Sequence, residues 1–135
     1  MSNLFGKTIT ILQTAMDLRY MKHKLITSNI ANAETPGYKA KDIRFEVELK
    51  KEVEQRKGSI VPVKTHPLHM GERGALGSVT VIERGSATKG LDGNTVNIDE
   101  EIVRLSENAT MYSMLAKLIK HKFSHLMTAI KEGGK

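Results

Sequence analysis

At 135 residues the chain suits one domain, and its complete lack of cysteine excludes a disulfide framework, a thiolate metal site and a cysteine nucleophile. With three Tyr, three Phe and no Trp, its apolar content rests on Ile, Leu, Val, Ala and Met, which suits helix seams better than a dense globular core. The net charge of +6 is spread rather than blocked, with four basic residues against one acidic in 1–33, eleven against nine in 34–97 and six against five in 98–135, so no basic stripe for nucleic acid exists.

The opening residues MSNLFGKTITILQTAMDLRYMK hold no uninterrupted apolar run with a small-residue cleavage pattern. No stretch approaches the roughly 18 apolar residues of a membrane span, so neither a cleaved secretory signal nor membrane insertion is expected. Apolar residues recur here at sevens: Leu4, Ile11, Leu18 and Leu25; Phe5, Leu12 and Ile26; Ile9, Met16 and Ile30. This spacing predicts a helix over 1–33 with a broad apolar stripe. Arg19 and His23 interrupt two of the rows, which marks that part of the seam as wet or partner-specific.

The stretch SNIANAETPGYKAKDIRFE stops this helix sharply. Pro36 pushes Thr35 out of the α region, and Gly37 supplies the positive φ of a type II turn, so the helix ends by about Asn32 or Ala33. Asn29 and Asn32 share a face near that end, where their amides reach either orphan carbonyls or a facing chain. A helix stop accounts for Pro36 and Gly37 but leaves the asparagines and Tyr38 without a task. Residues 42–57 first alternate like a strand and then read as a short helix.

Residues 58–93 hold seven of the eleven glycines and two of the three prolines. Two alternating stretches, 59–63 and 78–82, are candidates for a small hairpin, with a mobile, turn-rich segment between them. His66, His69 and Glu72 in that segment do not make a metal site, since nothing holds their geometry. No cofactor motif occurs, no Gly-x-Ser-x-Gly elbow is present, and the glycines of GERGALG lack the Gly-Lys-Ser/Thr of a phosphate loop. The chain reads as non-enzymatic.

The carboxyl-terminal helix carries the strongest pattern. Ile98, Ile102, Leu105, Ala109, Tyr112, Ala116, Ile119, Phe123, Leu126 and Ile130 follow at alternating steps of four and three. Asn97 is the predicted N-cap, acidic residues fill the first turn, lysines collect toward the end, and Gly133-Gly134 stops the helix. A second row, Met111, Leu115 and Leu118, widens the stripe beyond what one partner helix covers, so either the middle of the chain or other subunits must cover it. His121 and His125 lie away from the seam, without an acid to complete a zinc site.

The fold class expected is mainly α, with long terminal heptad helices pairing as a coiled coil around an irregular Gly-rich middle that holds at most a small β-hairpin. The divisions are 1–33, 34–57, 58–97 and 98–132. The seam residues are Ile9, Leu12, Met16, Ile26, Ile30, Ile102, Leu105, Tyr112, Ile119, Phe123, Leu126 and Ile130.

SNIANAETPGYK, placed after a helix of about thirty residues, resembles the signature of the flagellar rod and hook axial proteins. AKDIRFEVELKK after it, and LDGNTVNIDEE leading into the terminal helix, are most similar to the proximal rod members of that family. The resemblance implies a structural rod subunit of the bacterial basal body, polymerising around a central channel and exported by the flagellar type III apparatus. Implied partners are further copies of itself, other rod proteins and basal-body components at the rod base, and the implied contact motif is Asn29, Asn32, Thr35, Pro36, Gly37 and Tyr38. A cytoplasmic helical adaptor, akin to an export chaperone, is the alternative.

Overall fold

The computed structural model describes residues 2–55, 79–85 and 91–133 of the chain. Five elements follow in order: helix α1 (Ser2–Ala31), strand β1 (Ala40–Ile43), helix α2 (Phe45–Gln55), strand β2 (Val81–Arg84) and helix α3 (Ile98–Glu132). The protein is therefore mainly helical, with two long terminal helices and a small antiparallel sheet between them, as the sequence predicts. Among the described residues no helix is long and apolar enough to cross a membrane.

The two long helices lie side by side and run antiparallel. Arg19 of α1 meets Asn108 of α3, and Asn29, nearer the end of α1, meets Glu101, nearer the start of α3. At about 1.5 Å per residue, the 35 residues of α3 extend roughly 50 Å. Its start is fixed by Asn97, whose side-chain oxygen accepts from the backbone N–H groups of Asp99 and Glu100. Asp99, Glu100 and Glu101 add negative charge at the positive end of the helix dipole. Gly133 closes the far end by donating to the Ala129 carbonyl at 2.9 Å. Gly134 lies outside the described residues.

Of the stretch 42–57, residues 42–55 are described and form the end of β1 and α2, which packs on α1. Glu46 and Glu48 occupy the first turn of α2, where the dipole favours acids. The expected hairpin takes a different form. β2 begins at Val81 and pairs with β1, Ala40 opposite Arg84 and Ile43 opposite Val81. The physical reason is that β1 is already held against α1 through its own backbone, and so presents a fixed edge on which a second strand can form. The other stretch proposed for the hairpin, 59–63, lies outside the described residues, as do His66, His69, Glu72 and the segment expected to be mobile.

The core gathers at one end of the helix pair. Its buried apolar residues are Ala15, Leu18 and Ile26 of α1 with Ala40 and Ile43 of β1. As many polar residues as apolar ones, and more, are buried with them: Thr14, Asn29, Glu48, Glu52, Asn94, Thr95, Glu101 and Asn108. On α3 the face toward α1 runs through Glu101, Asn108 and, at the same seven-residue spacing, the half-buried Leu115 and Lys122, flanked by Leu105 and Ile119.

Of the ten residues in the heptad pattern on α3, only Leu105 and Ile119 are half-buried and the other eight are exposed. Ile102, Phe123 and Ile130 are 53%, 50% and 68% exposed, and Tyr112 and Leu126 are also exposed, so the described residues leave this face uncovered. Met111 and Leu118 of the second row are exposed as well, whereas Leu115 turns toward α1. On α1, Ile26 is buried and Ile9, Leu12, Met16 and Ile30 are half-buried. One helix cannot cover the whole stripe of the other, because a facing helix occupies only a narrow seam.

Candidate functional site

The stop of α1 is built from three stretches of chain. At the turn itself, the Tyr38 N–H donates to the Thr35 carbonyl at 3.2 Å and Gly37 holds a φ of 72°, the geometry of a type II turn with Pro36 at its first central position. Within the local sequence, Asn32 adds a side-chain donor to a carbonyl that its own backbone N–H already bonds at 3.1 Å. Its side-chain N–H donates to Ser28 O at 2.8 Å, and its oxygen accepts from the Thr35 hydroxyl.

The main cap comes from about sixty residues downstream. The side-chain N–H₂ of Asn94 donates to the carbonyls of Asn32, Ala33 and Thr35 at 3.0, 2.8 and 2.8 Å, while its oxygen accepts from the Val96 N–H at 2.7 Å. These carbonyls belong to the turn just beyond Ala31, the last residue of α1, and one amide gathers them. Asn94 is held by its own N–H, bonded to the Asp92 carboxylate. Residues 92–95 then run beside 37–40: Gly37 N–H donates to Asp92 O, Thr95 N–H to Tyr38 O, and Lys39 Nζ to Gly93 O. The close approach falls where both chains carry glycine, Gly93 adopting a φ of 77°. Thr95 completes the join, its hydroxyl accepting from Ala40 N–H and donating to Arg84 O.

Asn29 does something else. Its amide is fully buried and makes all four of its hydrogen bonds: N–H₂ to Lys41 O at 2.8 Å and to Glu101 Oε2 at 2.9 Å, oxygen from Lys41 N–H at 2.9 Å and from the Tyr38 hydroxyl at 3.3 Å. It thus pairs with the backbone of Lys41 as another strand would, and fixes β1 to α1. The Asn32 amide thus bonds a carbonyl that already has a helical donor, whereas the Asn29 amide takes a strand and a carboxylate of its own chain. Thr35, Pro36 and Gly37 lie exposed at the turn, and Tyr38 is half-buried.

Behind Asn29 sits a charge cluster that joins both strands and both long helices. The fully buried Glu101 carboxylate accepts from the Arg84 guanidinium, with Arg104 Nε at 4.0 Å. Asp42 lies 3.4 Å from Lys22, 3.6 Å from Arg84 and 3.6 Å from Arg104. A buried carboxylate is tolerated only when paired and hydrogen-bonded, and Glu101 meets both conditions.

Two turns further along, Asn108 donates to Arg19 O at 2.9 Å and accepts from Arg19 Nη1 at 3.5 Å. The Arg19 guanidinium stacks 3.9 Å over Phe45 of α2. Burial lowers its pKa from the ordinary arginine value, and Glu46 works in the opposite direction. The interruption of the heptad row at Arg19 is the mark of this contact in the sequence.

Nothing in this arrangement presents a nucleophile with a base, and among the described residues no group of His, Asp and Glu could hold a metal ion. The exposed His121 and His125 rings lie 6.4 Å apart on α3. Sequence reasoning assigned no partner to Asp42, Arg84, Asn94, Thr95, Glu101 or Asn108. For Asn94, Thr95 and Glu101 the signal was LDGNTVNIDEE, whose asparagines and acids precede the helix where turn chemistry alone would not require them all.

Comparison with known proteins bears on the same segments. Residues 9–39 match the family described as flagella basal body rod protein. The chain is 32% identical to the flagellar basal body rod protein FlgB of Bacillus subtilis, over 97% of this chain and 98% of that protein. It is 38% identical to FlgB of Cereibacter sphaeroides, over 94% and 96%, and 31% identical to FlgB of Salmonella typhimurium, over 90% and 91%.

Proposed function

The chain belongs to the FlgB family of flagellar basal body rod proteins, structural and non-enzymatic subunits, and we propose that it builds the proximal rod by helical polymerisation through its two terminal helices. Its partners in this reading are further copies of itself, the other rod proteins and the components at the rod base. It reaches the periplasmic part of the basal body through the flagellar type III export apparatus.

One observation carries the proposal. Along about 50 Å of α3 the described residues cover one side of the helix and leave Ile102, Tyr112, Phe123, Leu126 and Ile130 exposed. An isolated subunit keeps that much exposed apolar surface only at a cost, which neighbouring subunits packed along the same face remove. The turn at 35–38, beside the start of α3, is the contact proposed for the next subunit along the polymer. No observation favours an adaptor that never polymerises.

The test is retention in purified basal bodies. Phe123→Asp and Ile130→Asp place a charge in the uncovered row without touching the polar cluster, so each variant stays folded and exported but fails to incorporate. Wild-type retention of both would exclude this row as the polymer contact.

A further inference from the structure

Among the described residues of α3, the two that reach full burial are a carboxylate and an amide, Glu101 and Asn108, on a helix with abundant apolar side chains. Both direct their hydrogen bonds at α1: Glu101 at the Asn29 amide, Asn108 at the backbone carbonyl and guanidinium of Arg19. We infer that Glu101 and Asn108 are specificity residues, which direct α3 to the α1 of its own chain in a single register and deny other helices that seat.

The argument starts from the apolar pattern, which is degenerate. A stripe repeating at sevens pairs almost as well after a slip of seven residues, or with the same stripe of another chain. Polar groups buried within the seam remove that degeneracy. A slip in one direction carries Asn108 from Arg19 toward Leu12, where the side chains of α1 are apolar, and takes Glu101 away from Asn29 and Arg84. A slip in the other direction carries Glu101 past the end of α1 at Ala31. Either way a buried polar group loses its partners, which disfavours the misaligned pair far more than a changed apolar contact does.

The two residues also divide the surface of α3. The polar row 101 and 108, continued by Leu115 and Lys122, is reserved for α1, and the row through Ile102, Phe123 and Ile130 is left free. In an unassembled chain this keeps the α1-facing side of α3 from pairing indiscriminately with a second copy. The inference concerns the isolated chain and does not rest on the rod reading.

The experiment replaces the amide by an apolar group and measures self-association of the purified chain by sedimentation equilibrium, with helicity and melting followed by circular dichroism. Asn108→Leu is expected to retain its helicity and melting temperature while self-associating about tenfold or more tightly than wild type, the effect of removing one buried polar group from a seam. Asn108→Ala, which cannot overpack the site, shifts association in the same direction by less. Unchanged association in both variants overturns the inference. A lowered melting temperature with unchanged association also overturns it, because that is the result of a merely structural hydrogen bond. Should both variants precipitate, Glu101→Gln, which keeps the shape and the bond to Asn29 but drops the charge facing Arg84, must also self-associate more tightly, and failure there is decisive against it.

Discussion

Asn29 of α1 and Glu101 of α3, separated by 72 residues in the chain, meet at 2.9 Å with neither exposed to solvent. The contact sits where the end of one long helix meets the start of the other, and β1, β2 and the segment 92–97 all attach to it. It ties the rod signature to the interior of its own subunit.

Asn29→Ala is therefore expected to act on folding before it acts on assembly. The substitution strips partners from Glu101, from the Lys41 backbone and from the Tyr38 hydroxyl, and should cost roughly 3 kcal/mol, against about 1 kcal/mol or less for Asn32→Ala, whose local bonds are exposed. Urea unfolding of the two purified variants measures both. Equal destabilisation would mean that the four bonds to Asn29 carry no more than the two local bonds of Asn32.

Arg84→Met leaves the buried Glu101 carboxylate without its closest cation. Removing one member of a buried pair costs about 3–5 kcal/mol, because the remaining charge is uncompensated. Glu101→Gln in the same chain should recover most of that loss. A double-mutant cycle on thermal melts gives the coupling, and additive effects would show that the two side chains act independently.

Asn94→Ala removes the donor shared by the carbonyls of Asn32, Ala33 and Thr35 in the turn after α1 and should cost about 1–2 kcal/mol. Amide hydrogen exchange would report it as faster opening near 28–33 than in the middle of the helix. Asn94→Asp is more informative, since a carboxylate there faces three carbonyls at the negative end of the α1 dipole. Its folded-state pKa must then lie above the unfolded value. The variant is accordingly most stable in acid, where the carboxyl is protonated, and loses stability as pH rises through that raised pKa. A variant whose stability rose with pH over that window would contradict the cap geometry.

At the turn, Gly37→Ala should destabilise by about 1 kcal/mol or slightly more, because a Cβ at that site meets no atom within 4 Å and the cost is the positive φ alone. Gly37→Asn should recover part of it, asparagine tolerating the left-handed region. Pro36→Ala keeps both Gly37 and the bond from Tyr38 to Thr35, so it should cost no more than about 1 kcal/mol. Thermal melts of the three variants rank them.

What the sequence determined alone are the features set by neighbours along the chain. Pro36 and Gly37 end α1 through their own backbone restrictions, Asn97 caps α3 through its own side chain, and the recurrence at sevens fixes the length and amphipathic character of both long helices. The alternation of Ile43, Phe45, Val47 and Leu49 reads as a strand, yet from Phe45 onward these residues belong to α2. Only the tertiary structure decided that α3 meets α1 along 101, 108, 115 and 122, with Leu105 and Ile119 of the heptad pattern beside that row, since a period constrains a stripe's width and not its rotation. It also decided that β2 pairs with β1 and that Asn94 caps a helix ending some sixty residues earlier. These depend on hydrogen bonds between groups far apart in sequence, whose donors and acceptors look the same in one dimension as any solvated asparagine or glutamate. The Asn29–Glu101 contact is of that kind: each residue alone reads as a helix-end side chain, and only folding removes both from water and makes each the condition for burying the other.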